Sequence, residues 1–265
     1  MTRGQTLKIL VKYGGNAMGA GGDQALLAEL AELRTAGHAV ILVHGGGPEI
    51  DEALARRGVG SRRVDGLRVT ETDALDIVEA VLCATANKRL VRACLQRGIP
   101  AVGISGEDGG LIRARRAASL SGEDLGFVGE ITAIDPAPLQ ALLDGGFMPI
   151  VAPVAISENS AHAYNVNADT AAGAIAGALR AEAYITLTNV ARVLRNPADP
   201  SSAISEFTIA EAQQFAASEN CASGMKPKIL AAIEAVGAGV KRAYICAAQP
   251  GALAGALAGN ATTIG

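Results

Sequence analysis

A small set of side chains and glycine runs in this chain could do chemistry, and all of them suit negative charge. Lys12 ends an apolar run and is followed closely by Gly14-Gly15. His44-Gly45-Gly46-Gly47-Pro48 ends a second such run, and Arg68 lies in a short extended segment. Asn165, Asn167 and Asp169 crowd two amides and a carboxylate together, and Lys228 closes Gly224-Met225-Lys226-Pro227-Lys228. Lysines, backbone N–H groups and one carboxylate make an anion-handling set. Such a set suits phosphoryl transfer, where positioning and charge neutralisation supply most of the catalysis. Other chemistries lack their parts. Ser105, in Gly103-Ile104-Ser105-Gly106, misses a nucleophile elbow by one position. His38, His44 and His162 have no metal-ligand spacing with a cysteine or with each other. His44 reads as a packing residue at a strand end, and Glu107 and Asp108 as loop solvation.

Taken alone, the 164–169 stretch reads as a turn followed by a helix cap. Asn165 and Asn167 have strand spacing and point the same way. Asp169 falls where a small-residue helix begins and could accept backbone N–H bonds as its N-cap.

The elements that must position these groups alternate. Residues 7–12 and 39–43 read as buried strands, each running into a glycine loop and then a helix, at 23–36 and 49–57. Residues 71–96 read as one long helix with Thr70 as N-cap and Gly98 as its stop. Its apolar residues cover more than one stripe, which predicts a second buried face, most simply against another copy of the chain. Further strands are expected at 101–104, 127–131, 148–152, 183–188 and 241–246, with helices at 136–144, 209–218 and 229–238. Residues 113–126 read as a surface hairpin, 157–163 as a polar loop, and the last fifteen residues carry little pattern. Strand–helix alternation predicts an α/β fold, a mostly parallel sheet with helices on both faces. In such sheets ligands bind at the carboxyl ends of the strands, where both glycine loops fall.

Composition narrows the partners. The 265 residues are 49% apolar and 18% charged, so the chain can bury one large core or two lobes. A net charge of −3 without a basic block excludes nucleic acid as the main partner. Aromatics are only 3% and Trp is absent, so no stacking surface is available. No run reaches a membrane span, and Cys83, Cys94, Cys221 and Cys246 read as buried free thiols. A cytoplasmic protein is the expectation.

In this order the motifs resemble the amino acid kinase family. The matching pieces are residues 12–18, 44–48, 66–70, 103–106, 127–131, 164–176 and 224–228, spanning about 8 to 245. The resemblance implies a three-layer αβα sandwich. It also implies an ATP-dependent kinase that phosphorylates the side-chain carboxylate of N-acetyl-L-glutamate, the second step of arginine synthesis. Residues 1–180 would hold the amino-acid substrate and the dimer contact, and 181–265 the nucleotide. Carried over by position, Lys12 and Lys228 would neutralise the transferring phosphoryl group, with Asp169 orienting both. Gly14 and Gly15 would offer N–H groups to the phosphates, and Gly45 and Gly46 would hold the attacking carboxylate. Arg68 would pair with the α-carboxylate and Asn165 with the acetylamino end. Thr188, Asn189, Val190 and Leu194 would line the nucleotide site together with Lys228. Mg²⁺ would ride on the nucleotide phosphates, with no protein ligand.

The chain departs from the family at positions 189 and 192 and again at Ala247-Ala248-Gln249, where Asp-Gly-Arg is usual. Asn189 stands where an acidic residue is usual and Arg192 where glycine is usual. The Asn is shared with kinases acting on carrier-linked aminoadipate or glutamate, the nearest alternative; a catalytically silent sensor is the alternative of another class. With the first strand starting near Leu7 there is no room for the extra N-terminal helix of arginine-inhibited relatives, so a homodimer through the 71–96 helix, without that inhibition, is expected.

Overall fold

The computed structural model describes residues 6–14, 22–159 and 161–265. In chain order the elements are β1 (Lys8–Tyr13), α1 (Gly22–Thr35), β2 (Ala39–His44), α2 (Gly47–Arg56), β3 (Arg63–Val64), β4 (Leu67–Arg68) and α3 (Thr72–Glu79). A π-helical segment, Ala80–Ala86, joins α3 to α4 (Asn87–Leu95). Then come β5 (Ala101–Ser105), β6 (Ile112–Arg116), β7 (Gly129–Ile134), α5 (Ala137–Asp144), β8 (Met148–Ala152), β9 (Val154–Ser157) and β10 (Ala163–Asn165). The remainder is α6 (Ala168–Ala178), β11 (Ala183–Thr188), β12 (Glu206–Phe207), α7 (Ile209–Ala217), α8 (Lys226–Gly237), β13 (Arg242–Ala247), α9 (Ala252–Leu257) and β14 (Thr262–Ile264).

Eight strands form one sheet in the order β12-β14-β13-β11-β1-β2-β8-β5. Every pairing is parallel except β13 with β14. β1 lies in the middle and pairs with β2 on one side and β11 on the other. The sheet therefore changes direction at β1, and a crevice opens beyond its carboxyl end.

Alternation along the strands sorts side chains into two layers. Leu10, Ile41, Val43, Tyr184 and Ile245 pack with α6, α7 and α8. Ile9, Val11, Val40, Leu42 and Ile185 pack with α1, α4 and α9. The result is the expected αβα sandwich. The same alternation sends Lys12 to the α6–α8 layer and His44 to the α4 layer, because the two residues lie one position out of register on the paired strands.

Several sequence expectations change. Residues 113–126 do not form a surface hairpin of their own: they hold most of β6, which pairs antiparallel with β7 and parallel with β9, inside a four-stranded sheet β10-β9-β6-β7. The polar stretch before Asn165 is the turn between β9 and β10, which pair antiparallel. Thr70 does not cap the long helix; its hydroxyl donates to the Arg68 carbonyl at 3.0 Å, and Glu71 takes the cap position. Most apolar side chains of 71–96 are buried within the chain, among them Val78, Leu82, Leu90 and Cys94, because α2 and the sheet cover two sides of it. The last fifteen residues form α9 and the edge strand β14.

α9 is anchored from outside. Glu29, buried on α1, accepts N–H bonds from Gly251, Ala252, Leu253 and Ala254 at 3.1, 3.1, 2.7 and 3.3 Å. One carboxylate thus satisfies the orphan donors of a short helix. Glu29→Ala is expected to cost about 2–4 kcal/mol, read from chemical denaturation. Among the described residues no helix is long and apolar enough to cross a membrane.

Candidate active site

The residues singled out by chemistry converge at the carboxyl end of β1. Asn167, not Asp169, caps α6: its Oδ1 accepts from the N–H groups of Asp169 at 2.9 Å and Thr170 at 3.2 Å. The amide can do this because it is placed one residue before the helix. Asp169 is thereby released from capping, and its carboxylate faces two lysines. Lys12 Nζ lies 2.8 Å from Oδ1 and Lys228 Nζ 3.0 Å from Oδ2. Their side chains are only 5%, 7% and 16% exposed for Lys12, Asp169 and Lys228.

Two ammonium groups and one carboxylate leave a net positive charge, which invites an anion. Burial lowers the Lys12 pKa below the ordinary lysine value, Asp169 opposes the shift, and Lys228 adds to it. Burial alone would raise the Asp169 carboxyl, but Lys12 and Lys228 outweigh it and hold it below the usual carboxylate range. The N-terminal ends of α6 and α8, carrying Asp169 and Lys228, add the positive ends of two helix dipoles at the same place.

Asp169 and Lys228 meet because α6 and α8 pack at close range. A Cβ on Gly173 would fall 2.6 Å from the Ala231 carbonyl oxygen, and one on Gly177 would fall 2.6 Å from the Ala238 Cβ. Backbone cannot give way as a flexible side chain can. Gly173→Ala is expected to cost about 1–3 kcal/mol and to lower kcat by separating the carboxylate from Lys228, as thermal melts and initial rates would report.

The glycine loops fit against one another. A Cβ on Gly14 would lie 3.0 Å from Gly45 N and 3.4 Å from Lys12 Nζ, and one on Gly46 would lie 2.9 Å from Leu82 Cδ2. The Gly45 N–H donates to the Tyr13 carbonyl at 2.8 Å, tying the loop after β2 to β1. Gly15 lies outside the described residues.

Arg68 projects from β4, buried, into a fixed network. Its Nη1 donates to Asp51 and, at 2.5 Å, to Ser61 Oγ; its Nη2 donates to the Gly47 carbonyl at 3.0 Å. Arg63 also binds Asp51, at 2.9 Å. The hydrogen bond from Arg68 holds the Asp51 carboxyl well below its usual range. Among the described residues, Nε–H and one Nη2–H of the five guanidinium donors have no partner and remain for a ligand. Asn165 Nδ2 donates to Thr70 Oγ1 at 3.0 Å, which leaves the Asn165 carbonyl oxygen as a free acceptor.

Lys12, Gly45, Gly46, Arg68, Asn165, Asp169 and Lys228 line a single cleft of about 440 Å³. Of the nucleotide residues foreseen within 181–265, Lys228 lines that cleft, whereas Thr188, Asn189, Val190 and Leu194 do not. Val190 and Leu194 line a separate apolar pocket of about 120 Å³ with Arg192, Phe215, Asn220 and Met225. Thr188 is buried at the end of β11, its hydroxyl 3.2 Å from Asn189 Oδ1. Arg192, at the wall of that apolar pocket, donates to Ser205 Oγ and the Gly259 carbonyl at 3.0 and 3.3 Å. Sequence reading did not find Asp51, Ser61, Leu82 or Phe215, and it found Asn167 without its capping role. Only Asn167 had a local signal, its position one residue before the helix.

The sequence profile of the amino acid kinase family matches residues 8–247. An acetylglutamate kinase from Gluconacetobacter diazotrophicus is 46% identical over 246 residues, covering 89% of this chain and 77% of that protein. One from Symbiobacterium thermophilum is 40% identical over 243 residues, covering 89% and 83%. Among solved structures, an N-acetylglutamate synthase from Neisseria gonorrhoeae, complexed with coenzyme A and N-acetyl-glutamate, superposes with a TM-score of 0.81 at 26% identity. That match covers 97% of this chain and 59% of the longer synthase. Carbamate kinase from Giardia lamblia, at 17% identity and a TM-score of 0.70, shares the fold. The chain belongs to the amino acid kinase family.

Proposed function

We propose that this enzyme uses ATP to phosphorylate the side-chain carboxylate of N-acetyl-L-glutamate, giving N-acetyl-L-glutamyl 5-phosphate in arginine synthesis. The acetylglutamate kinases that it resembles along most of their length support the reading. The observation that carries it is the Lys12–Asp169–Lys228 clamp opening into the same cleft as Arg68 and Asn165. The two free guanidinium donors of Arg68 suit the substrate's α-carboxylate. The free carbonyl of Asn165 suits the N–H of an acetamido group. No general base is needed, because the attacking carboxylate is already ionised near neutral pH. Its oxygen bonds to the γ-phosphorus as the bond to the β–γ bridging oxygen breaks and ADP leaves. Lys12 and Lys228 neutralise the charge that spreads over the transferring oxygens.

Val190, Leu194, Phe215 and Met225 offer an apolar slot of a size that suits an adenine ring. Among the described residues there is no metal-ligating cluster of His, Cys, Asp and Glu. Asp169 is committed to two ammonium groups, so Mg²⁺ fits best as a guest of the nucleotide phosphates, where it would neutralise their charge. Residues 1–180 would thus serve the amino acid and 181–265 the nucleotide. A homodimer through the 71–96 helix belongs to the same proposal. The exposed Ala80 and Ala84 beside the half-buried Ile77 and Cys83 support it, and a monomeric mass in light scattering would overturn it.

The test is purified protein with ATP and Mg²⁺, with the acyl phosphate trapped by hydroxylamine. Hydroxamate formed with N-acetyl-L-glutamate supports the proposal. Hydroxamate only with carrier-linked aminoadipate, or none at all, overturns it.

A further inference from the structure

Two fully buried polar side chains beneath the cleft have no part in the mechanism above. His44 ends β2 and points into the layer opposite Lys12; Asn87 begins α4. Asn87 Nδ2 lies 2.9 Å from the Ile150 carbonyl, 3.3 Å from the Ile104 carbonyl and 3.2 Å from His44 Nε2. Two carbonyl oxygens can only accept, so this atom is the amide nitrogen. An NH₂ group facing Nε2 requires a lone pair there, which places the ring proton on Nδ1. Nδ1 lies 2.9 Å from the Gly45 carbonyl oxygen and donates to it. Burial pushes the His44 pKa down to about 4, so the ring stays neutral at working pH.

That bond has a directional consequence. In a trans peptide the C=O and the following N–H point opposite ways. Holding the Gly45 carbonyl against the buried ring turns the Gly46 N–H the other way, to the cleft that Gly46 lines. The Gly45 N–H is already fixed on Tyr13, while the Gly46 N–H makes no hydrogen bond among the described residues. The π-helical segment supports the arrangement. The Asn87 N–H closes a wide turn onto the Leu82 carbonyl, five residues back. That turn brings Leu82 against Gly46 and Asn87 against His44, in keeping with the habit of π turns to sit at functional sites.

We infer that His44, fixed in one tautomer by Asn87, is a positioning residue that aims the Gly46 N–H at the reacting carboxylate or phosphoryl oxygens. This rests on the proposed kinase reaction. His44 itself touches no substrate.

The test compares His44→Asn with His44→Gln. An Asn amide nitrogen falls near the place of Nδ1, whereas a Gln amide falls near Nε2. The Asn variant should keep kcat within about fivefold, and the Gln variant should lose about fiftyfold with the KM for ATP unchanged. A packing role predicts the reverse order, because Gln is nearer to His in volume, and that order would overturn the inference. Nitrogen-15 NMR of the histidine-labelled wild-type protein gives a second reading, independent of turnover and of whether either variant folds. His44 should show Nδ1–H and a bare Nε2 from about pH 5 to about pH 8. The opposite tautomer would overturn the inference. If the wild-type protein makes no acyl phosphate, the kinase reading fails, and the tautomer still decides whether His44 holds the Gly45 carbonyl.

Discussion

Asp169→Asn is expected to lower kcat by about a thousandfold or more, with little change in the affinity for ATP. Among the described residues the carboxylate is the only anion paired with Lys12 and Lys228, at 2.8 and 3.0 Å. Replacing it with an amide of the same shape leaves two buried ammonium groups facing each other without a counter-charge. An uncompensated buried charge costs about 3–5 kcal/mol, so a large fall in stability should accompany the loss of rate. Lys12, already lowered by burial, would drop further without its partner. Any residual activity then needs the protonated lysine and should disappear at a lower pH than in the wild type as the pH rises. The acid side responds in the other sense. The wild-type Asp169 carboxyl sits below its unfolded value of about 3.9. Its stabilisation is therefore complete above that value and is lost as the pH falls through the lowered one. The Asn variant should lack this acid-side loss. Denaturation across pH, paired with a kcat–pH profile, checks both limbs. Unchanged turnover in the variant would remove Asp169 from the site.

Lys228→Ala is expected to separate rate from stability. Turnover should fall by about a hundredfold to ten-thousandfold, with modest changes in KM for either substrate, because the ammonium acts on charge that develops during transfer. The fold should hardly respond. Removing Lys228 leaves Lys12 and Asp169 as a neutral pair and relieves the repulsion that helps lower Lys12. The unfolding free energy should stay within about 0.5–1 kcal/mol of the wild type. Lys228→Arg should recover little, since a planar fork cannot replace a compact point charge between Asp169 and a phosphoryl oxygen. Steady-state kinetics and thermal melts on the same preparations decide it: an unchanged kcat refutes the role.

Much of the candidate site was legible one residue at a time. Lys12 declared itself as a charge at the end of a buried strand followed by glycines, and Arg68 and Lys228 as cations in short ordered motifs. Asn167 and Asp169 were legible as polar residues at a helix start; local pattern offered Asp169 as the cap, and only the family resemblance assigned it to the two lysines. Either side chain can cap, and only the nearness of two lysines decides which one does not. Asp51, which orients Arg68, gave no sequence signal, because seventeen positions separate the two and only the fold of β3 and β4 over α2 joins them. The π-helical segment was equally silent, since its residues read as good helix formers at either repeat.

By itself the sequence determined the alternation of strands and helices, the mostly parallel sheet and the glycine loops at its carboxyl edge. These follow from local periodicity and from backbone conformations that few residues tolerate. Only the tertiary structure decided which side of the sheet each polar group reaches. Lys12 and His44 lie one position out of register on paired strands, so the two-residue repeat sends one up to Asp169 and Lys228 and the other down to Asn87. It also decided how closely α6 and α8 approach, and therefore whether a carboxylate and a lysine far apart in the chain become one anion site. That distance is set where Gly173 meets the Ala231 backbone and Gly177 meets the Ala238 methyl, contacts that no single stretch of sequence contains.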